Sequence, residues 1–196
     1  MEFIDILLAY ISRSAFITIF VLIWLSAYFI ATFTILISKM ITLNSWLNSE
    51  SKALDSLLLG AKVTNTPTVL KKCATGFASK EKLNVCIAMA EKSSTSGLTW
   101  LSIIASTSPF IGLFGTVVAI LETFAKMGAG DAGLSVIAPA ISEALVATGA
   151  GIFVAIPAYT FHLLLKRKSY EIMSVINRSA DVILLNSRNS SERFDV

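Results

Sequence analysis

Charged side chains are scarce in this sequence, and their scarcity excludes most classes of soluble protein. Of the 196 residues, only 15% are Asp, Glu, Lys or Arg, whereas 55% are hydrophobic and the mean hydropathy is +0.74. Soluble domains carry about 25% charged and roughly 45–50% apolar residues. Intrinsic disorder is excluded too, because disordered segments are poor in aromatic and β-branched residues. The composition therefore indicates an integral membrane protein.

Cysteine, proline and the common catalytic motifs are also rare or absent. Two cysteines are too few for a disulfide-stapled scaffold, and Cys73 and Cys86 match no zinc-site spacing. Four prolines and ten glycines exclude a collagen-like or linker composition. The sequence contains no Walker loop, GxSxG elbow or HExxH motif. It therefore predicts neither an enzyme nor a metal or cofactor site, and the net charge of +3 is too small to indicate nucleic-acid binding.

Three apolar runs are long enough to cross a bilayer, which takes about 20 residues of helix. The run over 14–37 has no ionisable side chain and is too long for the apolar region of a signal peptide. The run over 98–121 is also uncharged, and the run over 133–165 contains one carboxylate, Glu143. At about 1.5 Å per residue the third run reaches ~50 Å. It is therefore expected to tilt strongly or to project into water.

The distribution of basic residues predicts the orientation of these helices, because Lys and Arg concentrate on the cytoplasmic side of a membrane. Residues 1–13 and the turn at 122–132 hold one basic residue each. The connection at 38–97 holds eight, and the tail from 166 holds six. With three crossings, we expect the N-terminus outside and both the long connection and the C-terminus inside, on the cytoplasmic side.

The predicted fold is an all-α integral membrane protein with three transmembrane helices and long helices that extend into the cytoplasm. Its segments are a periplasmic interfacial segment (1–13), a first transmembrane helix (14–38), a cytoplasmic helical region (39–97), a second transmembrane helix (98–125), a periplasmic turn (126–133), a third transmembrane helix (134–165) and a cytoplasmic C-terminal helix or tail (166–196).

Small residues recur at helical spacing along the second and third transmembrane helices. Small faces allow membrane helices to approach closely, since lipid gives them no hydrophobic reason to associate. We therefore predict a helix-packing role for Pro109, Gly112, Gly115, Ala144, Gly151 and Ala155. Two threonines, Thr116 and Thr148, lie on or beside these stripes, and their hydroxyls can both donate and accept hydrogen bonds. The stripes are therefore also expected to line a narrow polar path.

Glu143 is the ionisable residue well inside the third apolar run, and an acid within a membrane is by default a candidate functional residue. We predict an ion-path or subunit-contact role for it. The alternative is a position at the outer headgroups, because counting back about 20 residues from Lys166 places the hydrocarbon edge near Val146. At 100° per residue, Glu143 lies about 140° from Thr148, so the two cannot line the same narrow path on a regular helix.

Two segments resemble the signature helices of the MotA/TolQ/ExbB proton-channel family: SPFIGLFGTV (108–117) and APAISEALVATGAGIFVAIPA (138–158). MotA-type proteins have a fourth membrane helix, so three crossings are closer to TolQ or ExbB. The short N-terminus is similar to TolQ, whereas VILLNSR (182–188) is similar to ExbB, and the choice stays open. The chain departs from the family where Val118-Ala119 replaces a frequent Trp-Gly and where Ala140 replaces the glycine of APGI.

The resemblance implies a homopentamer in the bacterial inner membrane whose second and third helices surround a pore. It also implies a single-pass ExbD- or TolR-like partner in that pore, which carries the proton on an aspartate, and a TonB- or TolA-like protein that receives the energy. The family's pore threonines fall on Thr116 and Thr148, and its glutamate falls on Glu143. The alternatives are a structural scaffold or a transporter subunit without its own ion path, although the chain lacks the inverted repeat of many transporters.

Overall fold

The computed structural model describes residues 16–59, 69–70, 80–128 and 134–192, and the regular structure within these ranges is entirely α-helical. The helices are α1 (Phe16–Leu58), α2 (Lys80–Thr95), α3 (Leu98–Gly128) and α4 (Leu134–Glu192). Within these described ranges, three candidate spans have the length and composition to cross a membrane. The predicted interfacial segment at 1–13 lies outside the described residues, and so does most of the predicted turn at 126–133.

Two helices continue well beyond the apolar runs that begin them. α1 contains 43 residues and α4 contains 59. The basic residues at 166–168 end the third apolar run, yet α4 passes through them without a break. Lys and Arg are good helix formers, so they stop the apolar surface without stopping the helix. Pro139 and Pro157 lie inside α4, which membrane helices tolerate because neighbouring groups satisfy the freed carbonyls.

The chain divides into two compact units, and α1, α3 and α4 each contribute to both. The first unit contains the described residues within 1–35 and 100–162, and the second unit contains those within 36–99 and 163–196. The first unit includes the middle of the second and third apolar runs. The second unit includes α2 and the helical extensions of α1 and α4.

The core of the first unit is formed jointly by α1, α3 and α4. Its buried members are Val21, Leu25, Ile104, Ala147, Val154 and Ala158. Aromatic contacts tie α1 to α4, with Phe29 stacked on Phe153 at 5.6 Å and Phe33 edge-on to Phe161 at 5.4 Å between ring centroids. Three of the core residues are alanine or valine on α4, so this helix approaches its neighbours closely.

The second unit combines an apolar core with polar contacts between helices. Its fully buried apolar residues include Leu70, Leu83, Leu165, Ile172 and Ile176. The Lys39 ammonium donates to the Ser96 hydroxyl at 2.9 Å, and the Ser169 hydroxyl donates to the Ser94 hydroxyl at 2.8 Å. Between α2 and α3, Gly97 has a φ of +88°, a conformation that side chains other than glycine rarely adopt. These contacts fix the junction of α2 and α3 against α1 and α4 within this unit.

A buried carboxylate joins α1 to the turn at 69–70. Glu50 has no exposed surface, and its Oε1 accepts hydrogen bonds from Trp46 Nε1 at 3.2 Å and from the Val69 backbone N–H at 3.0 Å. The sequence did not identify Glu50 as a buried residue, because a single glutamate in a polar connection resembles a solvated side chain. The spacing of Trp46 and Glu50, one helical turn apart, is the only signal that the sequence offers.

We expect Glu50→Ala to destabilise the second unit. The substitution leaves the Trp46 and Val69 donors without their acceptor, at a cost of about 1–3 kcal/mol for a buried unsatisfied group. Denaturant unfolding of the purified chain measures the loss. Glu50→Gln retains an acceptor oxygen at the same place and serves as the control, with a smaller loss expected. Equal destabilisation by the two variants would show that the hydrogen bonds do not account for the effect.

Candidate functional site

The backbones of α3 and α4 touch in the first unit, at two glycines. A Cβ built on Gly151 would lie 2.5 Å from the Ser108 carbonyl oxygen, and one built on Gly112 would lie 2.7 Å from the Ala147 carbonyl oxygen. Real Cβ atoms essentially never approach other atoms within 3.0 Å. Hydrogen is therefore the only side chain that this contact admits at either position without a shift of the backbone.

The remaining predicted packing residues lie around the same contact. Gly115 faces the side chains of Ala147 and Val21, where an added Cβ would come within 3.2 and 3.3 Å of them, so α1 joins α3 and α4 there. Ala144 is fully buried. Pro109 and Ala155 are half-buried. All six predicted packing residues therefore lie on the part of α3 and α4 that belongs to the first unit.

The hydroxyls of Thr116 and Thr148 meet across the contact between α3 and α4. Their Oγ1 atoms are in direct hydrogen-bond contact. Thr116 Oγ1 also lies 3.1 Å from the Ala144 carbonyl oxygen and 3.3 Å from that of Gly112, and Thr148 Oγ1 lies 3.3 Å from the Gly112 carbonyl oxygen. Both threonines are half-buried. The glycine contact brings the two hydroxyls together, because it removes the side chains that would otherwise separate the helices.

This hydroxyl pair can reorient protons but cannot store one. Each threonine has a single proton to donate, while two carbonyl oxygens and the other hydroxyl are available as acceptors. The pair therefore has more than one hydrogen-bond arrangement, and a hydroxyl that changes partner can donate to or accept from a group outside the pair. Threonine does not titrate in the physiological range, so the pair by itself cannot bind and release a proton.

Glu143 lies on α4 immediately before Ala144 and is half-buried. α4 is unbroken from Leu134 to Glu192, so the offset of about 140° between Glu143 and Thr148 applies along the helix. The structure therefore brings Thr116 and Thr148 together and places Glu143 on a different face of α4. Among the residues that the structure describes, no group of three His, Cys, Asp or Glu side chains could hold a metal ion.

Comparison with known proteins identifies the family of the chain. A model of the MotA/TolQ/ExbB proton channel family matches residues 50–178, which include most of the second unit and both threonines. The chain belongs to this family. The ExbB-like 1 protein of Helicobacter pylori strain J99 is 43% identical to it over 183 residues, which cover 91% of this chain and 97% of that protein. The resemblance of the two signature segments is thereby confirmed.

Shorter matches include both ExbB and TolQ proteins, the two alternatives that the sequence left open. The biopolymer transport protein ExbB of Pseudomonas putida is 39% identical over 111 residues, 55% of this chain and 33% of that protein. The Tol-Pal system protein TolQ of Haemophilus influenzae is 55% identical over 60 residues, 30% of this chain and 26% of that protein. Together with the three apolar spans, membership of the proton-channel family makes this chain a multi-pass inner-membrane protein.

Proposed function

We propose that the chain forms the pore of a proton-driven motor of the ExbB–ExbD or TolQ–TolR type. Five copies surround the pore with α3 and α4, and a single-pass ExbD- or TolR-like partner lies inside it. The motor passes energy to a TonB- or TolA-like protein that acts on the outer membrane. The N-terminus lies in the periplasm, while the extensions of α1 and α4, together with α2, lie in the cytoplasm. The observation that carries the proposal is the contact between the Thr116 and Thr148 hydroxyls.

The proposed mechanism divides the work between two polypeptides. The hydroxyls of Thr116 and Thr148 line a wet passage and exchange hydrogen bonds with an aspartate of the partner helix. That aspartate binds the proton on one side and releases it on the other, and intramembrane acids serve this purpose in pumps. One charge that crosses 100 mV releases about 2.3 kcal/mol, so a mechanical step of substantial work takes several protons. The chain itself performs no enzymatic step and needs no cofactor.

Cysteine cross-linking tests whether a partner helix lies beside Thr148. We expect Thr148→Cys to form a disulfide with a cysteine placed next to the aspartate of the candidate single-pass partner. Val146→Cys is the matched control, because Val146 is exposed and lies about 160° away on the same helix. The unsubstituted chain controls for its own two cysteines. Equal cross-linking at both positions, or none at either, favours the structural scaffold instead.

Glu143→Gln tests the proposed role of Glu143 in the ion path or in a contact between subunits. The variant removes the negative charge and keeps the size of the side chain, so we expect proton flux through reconstituted vesicles to fall several-fold or the oligomer to dissociate more readily. Flux assays with a pH-sensitive dye and native mass spectrometry measure the two quantities. Unchanged flux together with unchanged oligomer stability would make Glu143 a residue of the outer headgroup region and remove it from the proton path.

A further inference from the structure

The exposed face of α4 carries a shallow, open groove immediately after the third apolar run. The groove has a volume of about 430 Å³ and is lined by Leu163, Lys166, Arg167, Tyr170, Glu171 and Ser174. These positions follow one another at steps of three and one residues, so the groove runs along one side of a single helix for about three turns. It lies wholly within the second unit.

The groove offers hydrogen-bond donors on successive turns of the helix. Lys166 supplies an ammonium group, and Tyr170, which is 65% exposed, supplies a phenol hydroxyl one turn later. The groove's one carboxylate, Glu171, accepts a hydrogen bond from Arg167 Nε at 3.2 Å. Two cations and one carboxylate leave the groove with a net positive charge. It is therefore complementary to an anion that carries further oxygen atoms.

The groove begins where the third apolar run ends. Leu163 and Leu164 are 46% and 47% exposed, and they are among the last residues of the apolar run before the basic residues at 166–168. Lipid phosphates lie just outside the hydrocarbon region, and tyrosine is enriched at the same depth in membrane proteins. In a bilayer, this order of residues places the apolar end of the groove beside acyl chains and its basic part beside headgroups.

We propose that this groove binds the headgroup of an anionic phospholipid. Lys166 and Arg167 hold the phosphate, the Tyr170 hydroxyl bonds the outer polar part of the headgroup, and the acyl chains lie along Leu163 and Leu164. Each basic residue close to an anionic membrane surface strengthens the attraction about fivefold. The anionic lipid therefore enriches around the helix at the level where α4 leaves the membrane. The inference does not depend on the proposed proton path.

Lipid association of the full chain tests the proposal. The chain is reconstituted in vesicles of equal parts phosphatidylcholine and phosphatidylglycerol, and spin-labelled versions of each lipid report their relative association with the protein. We expect a preference for labelled phosphatidylglycerol, which Lys166→Gln combined with Arg167→Gln lowers by about fivefold or more. Lys80→Gln combined with Lys82→Gln removes the same charge from exposed positions on α2 and is expected to change little.

A variant that raises the preference for phosphatidylglycerol distinguishes lipid binding from a general loss of structure. Glu171→Gln removes the groove's carboxylate and releases Arg167, so we expect a higher preference for phosphatidylglycerol than in the natural chain. The proposal is overturned if the groove pair and the α2 pair lower the preference equally, or if Glu171→Gln lowers it. It is also overturned if inorganic phosphate added at the ionic strength of a chloride control removes the preference, because the groove would then be a site for free phosphate.

Discussion

Replacing Thr148 by valine is expected to abolish proton-driven transport while the protein still folds and assembles. Valine has nearly the shape of threonine, so the substitution removes the hydroxyl and little else. Thr116 keeps the Gly112 and Ala144 carbonyl oxygens as acceptors, and the contact between α3 and α4 therefore survives. The proposed passage, however, loses one of its two facing hydroxyls. Energy-dependent transport in cells whose own gene carries the change measures the effect.

Two further variants show whether the hydroxyl at position 148 is responsible. Thr160→Val removes a hydroxyl from the same helix, but Thr160 is exposed and donates to its own helix at the Ile156 carbonyl oxygen, 2.9 Å away. We expect this control to transport normally. Thr148→Ser restores a hydroxyl and is expected to recover much of the activity. Normal transport by Thr148→Val would remove the case for a path along the threonines.

The second large effect concerns the glycine contact. We expect Gly151→Ala to weaken the packing of α4 on α3, because the new methyl group would lie 2.5 Å from the Ser108 carbonyl oxygen and a backbone atom cannot rotate away. Forcing extra volume into a well-packed contact costs about 1–3 kcal/mol, and occasionally more. The separation of the helices also parts the two threonine hydroxyls, so transport falls as well. Thermal unfolding in detergent measures the loss of stability.

Gly149→Ala is the matched control for this prediction. Gly149 lies two residues away on the same helix, and a Cβ added there meets nothing within 4 Å. Alanine is the better helix former by about 1 kcal/mol in water, so this variant should be as stable as the natural chain or more so. If both alanine variants unfold at the same temperature, the close backbone approach does not hold the two helices together.

Much of the helical organisation was predictable from the sequence, because apolar runs and small-residue spacing follow directly from the chemistry of the bilayer. α4 continues through 166–168 because lysine and arginine are good helix formers, whereas its projection into water stays a prediction. The direct pairing of Thr116 with Thr148 was not predictable. Each stripe indicates a face, but the relative height of two neighbouring helices depends on how their side chains interlock.

The burial of Glu50 was also not predictable from the sequence. Its burial depends on Val69, which is nineteen residues away along the chain and belongs to a turn with no periodic pattern. Sequence periodicity reports which face of a helix is buried against its neighbours, but a contact with a turn leaves no repeat to detect. The groove on α4 was recognisable in part, since the basic residues at 166–168 mark the end of the apolar run, whereas the alignment of Tyr170 with Lys166 becomes meaningful only on a continuous helix.

Proton flux across sealed vesicles tests the division of labour between the two polypeptides most directly. When a pH gradient with the acidic side outside is imposed, the interior of vesicles that contain the chain together with its single-pass partner is predicted to acidify. Vesicles with the chain alone, with Thr148→Val, or with the partner's membrane aspartate changed to asparagine are predicted to remain at their starting pH. Equal acidification by the chain alone, or by the complex that lacks the aspartate, would contradict the account.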